Sequence, residues 1–117
     1  MDKNNPVLDK SKAFAVRIIR LYQYLDGKRI YALASQIVRS GTSIGANVRE
    51  AVRGQSKADF YAKLGIALKE AEETAYWLEL LFESGYIEDN QFNSLYRDCK
   101  ELVALLTSIL KTRKGGN

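Results

Sequence analysis

Glu50, Glu70 and Glu73 are the side chains that could do chemistry on a helical scaffold, because carboxylates projecting from facing helices are one way that bundle proteins hold a pair of metal ions. That chemistry also uses Glu-x-x-His pairs, and this chain contains no histidine. The di-metal reading fails, and no metal or cofactor is implied. The missing histidine also removes the commonest general base and the Ser-His and Cys-His nucleophile arrangements. Cys99, the one cysteine, cannot form an internal disulfide or a zinc site by itself and reads as a small core residue. What remains is the polar line Gln36, Ser40, Ser43, Asn47 and Glu50, at helical spacing beside an apolar stripe. It reads as a hydrogen-bonded seam that fixes helix register, since buried polar groups must find partners. The chain is not expected to be an enzyme.

The run that holds this line, RSGTSIGANVRE from Arg39 to Glu50, places two glycines in a strongly helical pattern. Glycine inside a helix costs about 1 kcal/mol relative to alanine, so Gly41 and Gly45 are expected to let a second helix come close. They do not make a phosphate loop. Their spacing differs from Gly-x4-Gly, and no Lys-Ser/Thr follows.

Four helices must position these residues. The first is expected from about Val7 to Leu25, with Val7, Phe14, Ile18, Leu21, Tyr22 and Leu25 on one face and Gly27 as its stop. The second spans about Ile30 to Arg53, carries Leu33, Ile37, Ile44, Val48 and Ala51, and stops at Gly54. The third opens at Ser56, where Ser-x-x-Asp to Asp59 resembles a capping box, and its stripe runs from Phe60 through Leu64, Leu68, Ala71, Ala75 and Leu78 to Phe82 before Gly85. The fourth begins near Glu88 to Asn90 and carries Phe92, Leu95, Tyr96, Cys99, Leu102, Val103, Leu106 and Leu110. Joints of a few residues make neighbours antiparallel, so the expected fold is all-α, an up-down-up-down four-helix bundle. A chain of 117 residues, 46% apolar and 27% charged, fits one globular domain, with residues 1–6 and 112–117 expected to be flexible. No apolar run approaches the roughly 20 residues that span a bilayer, and MDKNNPVLDK lacks a signal-peptide core. A cytoplasmic protein without a membrane partner is expected.

Charge is unevenly spread. Residues 1–55 hold ten Lys or Arg against four acids, whereas residues 56–87 hold three against six. On the first helix Lys10, Arg17, Arg20, Tyr24 and Lys28 fall on one side, a basic line with an aromatic in it that would span about 27 Å. Arg39, Arg49 and Arg53 are expected on the outward face of the second helix. Together these eight residues are the candidates for contact with an RNA or DNA backbone. The competing reading is a solvated face that keeps the protein soluble. On the third helix Ile66 and Trp77 align well away from the core stripe, Leu80 lies near them, and Glu70 and Glu73 sit between. This set is the candidate self-association surface, with the acids reaching for cations on a partner. The alternative is a wide stripe that tucks under the adjacent helix.

RSGTSIGANVREA at Arg39 to Ala51, the Ser56-x-x-Asp59-Phe60 opening, KLGIALKEAEET at Lys63 to Thr74 and ESGYI at Glu83 to Ile87 resemble the bacterial four-helix-bundle proteins encoded by open reading frames within 23S rRNA intervening sequences. The resemblance covers nearly the whole chain. It departs at Ala51, near where the family usually has glycine. It implies a small up-down bundle that assembles into a homopentamer and for which no enzymatic activity is established; a related accessory protein of diversity-generating retroelements is a pentamer that binds nucleic acid and a reverse transcriptase. Two functions are therefore expected in turn: a non-enzymatic oligomer that holds RNA or DNA on its basic surface, or an interaction scaffold whose partner is a polypeptide.

Overall fold

In a computed structural model that describes residues 5–115, with side chains through Arg113, the chain forms α1 (Pro6–Gly27), α2 (Tyr31–Val52), α3 (Lys57–Glu83) and α4 (Asp89–Gly115). Each helix packs on the two beside it and none crosses the diagonal, which is the arrangement of a four-helix bundle. Cross-helix pairs run in opposite senses along every seam, Tyr96 meeting Glu79 between α3 and α4 and Arg17 meeting Asp98 between α1 and α4 beside the pairs that follow. Gly41 meets Ile18 and Gly45 meets Ser11 between α1 and α2, and Ser40 meets Thr74 and Glu50 meets Lys63 between α2 and α3. Cys99 meets Ala71 between α3 and α4, and Lys10 meets Glu101 between α1 and α4. The particle is elongated, 48 × 24 × 21 Å. Among the described residues no helix is long and apolar enough to cross a membrane.

Local chemistry explains the helix ends. Asn5 caps α1 by accepting the Leu8 N–H at 3.2 Å, with Pro6 in the first turn where its missing N–H costs nothing. Ser56 caps α3 by accepting the Asp59 N–H at 3.1 Å, the expected half of the capping box. At the start of α4 the bond runs the other way, from the Glu88 N–H to Gln91 Oε1 at 2.9 Å. The α3 terminus is a Schellman turn: Gly85 takes φ +78°, its N–H reaches Phe82 O, and the Tyr86 N–H reaches Leu81 O.

The end of α1 departs from expectation. Gly27 does not stop the helix but lies inside its last turn, and the left-handed position falls two residues later on Arg29 at φ +65°. The Schellman bonds are complete there, from Arg29 N–H to Asp26 O and from Ile30 N–H to Leu25 O, so a non-glycine residue is held in a conformation that costs about 1–2 kcal/mol. Of the terminal segments expected to be flexible, Asn5 and Pro6 open α1 and residues 112–115 continue α4, while residues 1–4 and 116–117 lie outside the described residues.

The core follows most of the expected stripes, except that on α3 it takes in Ala67, Thr74 and Leu81 and leaves Phe60, Leu68 and Phe82 half-buried. Phe14, Ile18, Ile44, Leu64, Leu78 and Leu102 are buried, and the rings of Phe82, Phe92 and Tyr96 stack successively at 4.5 and 4.8 Å. Among the described residues no buried side-chain nitrogen or oxygen lacks a hydrogen-bond partner.

Candidate nucleic-acid interface

The polar line of α2 joins the expected seam only at Ser40 and Glu50, which bond across to α3, whereas Ser43 and Asn47 bond to backbone carbonyls within α2. Thr74 donates to Ser40 Oγ at 2.8 Å in the buried α2–α3 contact, Asn47 Nδ2 donates to Ser43 O at 2.9 Å, and Glu50 pairs with Lys63 at 2.8 Å. The hydrogen bond and charge of Glu50 raise the pKa of Lys63. Gln36 is exposed and lies apart from this network. Cys99 is buried, with its thiol 3.2 Å from Ala71 O, and desolvation pushes its pKa up to about 12, so it carries no thiolate near neutrality.

The glycines bring α1 and α2 together. A Cβ on Gly41 would lie 2.7 Å from Ile18 Cγ2, and one on Gly45 would lie 3.3 Å from Ser11 O, whereas Gly65, in the middle of α3, has nothing within 4 Å.

The basic line of α1 divides in two. Lys10 pairs with Glu101 at 2.8 Å, and Arg17 meets Asp98 at 2.6 Å, Ser94 Oγ at 2.8 Å and Ser94 O at 3.3 Å. These two cations tie α1 to α4 across the slightest of the four helix–helix seams, and both side chains stay partly exposed. Arg20, Tyr24 and Lys28 remain. Arg20 is exposed and Tyr24 half-buried, the Lys28 ammonium stands 4.7 Å from the centre of the Tyr24 ring, and neither cation joins an ion pair among the described residues. The hydrogen bond and charge of Tyr24 raise the pKa of Lys28. Arg17, Arg20, Tyr24 and Gln91 border a cleft of about 330 Å³.

The cations of α2 divide as well. Arg39 does not stand free on the outward face but pairs with Glu70 at 3.3 Å and with Glu73. Arg49 and Arg53 are exposed, outside any ion pair among the described residues, and border a larger cleft of about 670 Å³ at the α2–α3 elbow.

Arg39 also bears on the candidate self-association set. Glu70 and Glu73, expected to reach for a partner's cations, are matched inside the chain. Trp77 is half-buried against the core and donates its indole N–H to Glu73 Oε2 at 3.0 Å, and Leu80 is half-buried. Ile66 alone of the set is exposed, at 42%. Exposed apolar surface also lies where sequence spacing did not place it, at Tyr76 on α3, Val16 and Ile19 on α1, Tyr31 at the start of α2 and Tyr86 before α4. The three-residue step from Val16 to Ile19, off the Phe14–Ile18 stripe, was a signal available in the sequence.

Fold and surface together define a small all-α bundle whose distinctive chemistry is cationic. The chain belongs to the 23S rRNA-intervening sequence protein family, whose model matches residues 3–108. Among solved structures it is similar to a protein of unknown function from the S23 ribosomal protein family of Bacteroides thetaiotaomicron, with a TM-score of 0.88 and 55% identity over 90% of this chain and 98% of that one. No curated protein gives a significant match.

Proposed function

We propose that this protein is a non-enzymatic, cytoplasmic homo-oligomer, a pentamer by its resemblance, that binds RNA or DNA through a basic surface. The observation that carries the reading is the row Arg20, Tyr24 and Lys28 on α1. Two cations and an aromatic recur at one-turn intervals, and neither cation joins an ion pair among the described residues, although the charge of Glu88 also reaches Lys28. Such a row suits a phosphate backbone with a base laid against the ring. Repetition by symmetry would let weak contacts act together. The high thiol pKa of Cys99 and the lack of histidine support a non-catalytic role.

The test is sedimentation of the purified protein with and without total RNA over a range of salt. Co-sedimentation that weakens steeply as salt rises, and that falls when Arg20 and Lys28 are both replaced by alanine, supports the reading. Salt-insensitive association, or none with any nucleic acid, removes it. The exposed pair Val16 and Ile19 favours a second reading, a scaffold for a polypeptide. Recovery of one stoichiometric protein after nuclease treatment would select it.

A further inference from the structure

The cleft at the α2–α3 elbow has the chemistry of a phosphodiester site, and it lies toward the opposite end of the bundle from Lys28. Arg49 and Arg53 stand one helical turn apart on α2 and line it together, with Ala46 as a small wall residue. Three cations and two carboxylates border the cleft, but they do not cancel evenly. Lys63 is held by Glu50 at 2.8 Å, which leaves two guanidinium groups facing the single carboxylate of Asp59. The opposed termini of α2 and α3 meet at this elbow, so their dipoles offset each other and the arginines set the local sign.

The elbow cleft continues into a second groove. Ala46 and Arg49 also line a depression of about 170 Å³ between α1 and α2, whose far wall carries Lys12 and whose floor includes Gly45. Lys12, Arg49 and Arg53 thus follow one connected surface, and none of them joins an ion pair among the described residues. A glycine and an alanine between the cations leave room for a chain to approach the helix backbone closely. The guanidinium fork matches phosphate oxygens in pairs.

We propose that Arg49 and Arg53, with Lys12 along the adjoining groove, form a phosphodiester-binding track that grips a nucleic-acid backbone independently of the α1 row. This rests on the nucleic-acid reading above and names the site that reading would use at this end of the molecule. A run of three cations along a groove suits a ligand that repeats its charge at regular intervals.

The test is fluorescence anisotropy with a labelled single-stranded RNA of mixed sequence, titrated at several salt concentrations. Wild type is compared with Arg49→Ala/Arg53→Ala, Arg49→Lys/Arg53→Lys and Ala46→Glu. All three positions are exposed, so the variants should fold, and circular dichroism checks that they do. Expected is roughly tenfold weaker binding for the double alanine variant, with a salt slope shallower by roughly 0.7 for each phosphate that is no longer neutralised. The lysine pair should keep most of the affinity, and Ala46→Glu should lose it without removing any cation. If wild type binds and the double alanine variant binds equally with the same slope, the track is overturned while the α1 row stands. If wild type binds no RNA at any salt, the underlying reading falls and the track with it. Binding of poly-glutamate, but not RNA, through the same arginines would overturn the phosphodiester assignment in favour of an acidic polypeptide.

Discussion

Gly41 faces Ile18 so closely that a methyl group on the glycine would stand 2.7 Å from one branch of the isoleucine and 2.9 Å from the other. Ile18 is fully buried and branched at Cβ, so it has little freedom to turn away. Gly41→Ala gains about 1 kcal/mol of helix propensity but overpacks a core contact, which typically costs about 1–3 kcal/mol. The expected net effect is a loss of up to about 2 kcal/mol in urea denaturation, where propensity alone would give a gain. Gly65→Ala is the matched control, because open space surrounds that position, and it should raise stability by up to about 1 kcal/mol. Equal effects from the two substitutions would show that propensity alone, not the α1–α2 approach, governs these sites.

Arg29 sits at φ +65° in a turn whose hydrogen bonds are already complete. Arg29→Gly relieves the left-handed strain but loosens the unfolded chain, a penalty of about 0.4–1 kcal/mol that offsets part of the gain. The thermal midpoint should rise by a few degrees, corresponding to about 0.5–1 kcal/mol. A fall would mean that the arginine side chain does more for the turn than its backbone costs.

Arg17 and Asp98 are each about one-third exposed and joined at 2.6 Å, with Ser94 accepting two further bonds from the same guanidinium. A double-mutant cycle with Arg17→Ala and Asp98→Ala should give a coupling energy of about 1 kcal/mol, the upper end for partly solvated pairs. Arg17→Ala should therefore lower stability as well as any affinity for nucleic acid, whereas Arg20→Ala should touch affinity alone. Zero coupling would return Arg17 to the set of free surface cations.

Cys99 titrates late because its thiol is desolvated, with a pKa pushed from 9.0 to about 12. In the unfolded chain the thiol loses its proton first, so the neutral form favoured by the fold contributes fully below pH about 9 and progressively less as pH rises toward about 12. Tyr96, raised by its hydrogen bond to Glu79, acts in the same direction above its ordinary range. Thermal melts of wild type should therefore drop more steeply above pH about 9 than those of Cys99→Ala. Parallel curves would place the alkaline loss elsewhere. Native protein at pH about 8 should also resist alkylation until it is denatured.

The helices were legible because glycine and apolar spacing punctuate the chain at Gly54 and Gly85, and because Phe14 to Leu25 and Leu64 to Leu78 repeat at helical intervals. The close approach at Gly41 was legible for the same reason, since a glycine in a good helix is a cost that packing must explain. The Arg29 turn was not, because nothing in the residue type announces a left-handed arginine. Spacing also grouped Lys10, Arg17, Arg20 and Lys28 on one side of α1. It could not say that the acids of α4 lie opposite the first two, because the angle around one helix carries no information about its neighbour. The same limit hid the pairing of Glu70 and Glu73 with Arg39, 31 and 34 residues away.

Self-association is the prediction most changed by these ion pairs. Trp77→Glu would push a charge against the core beside Glu73, so it should unfold the chain and say little about assembly. Ile66→Glu is the informative change, because Ile66 is 42% exposed and its replacement removes no core packing visible in the single chain. If α3 presents its outer side to sister copies, Ile66→Glu should reduce the mass in solution toward one chain of 13.2 kDa while helicity and the thermal transition of the bundle persist. Tyr76→Glu, exposed on the same helix, should act with it. An unchanged assembly in both variants would move the contact to the exposed α1 surface at Val16 and Ile19, where Ile19→Glu would then be the change that dissociates it.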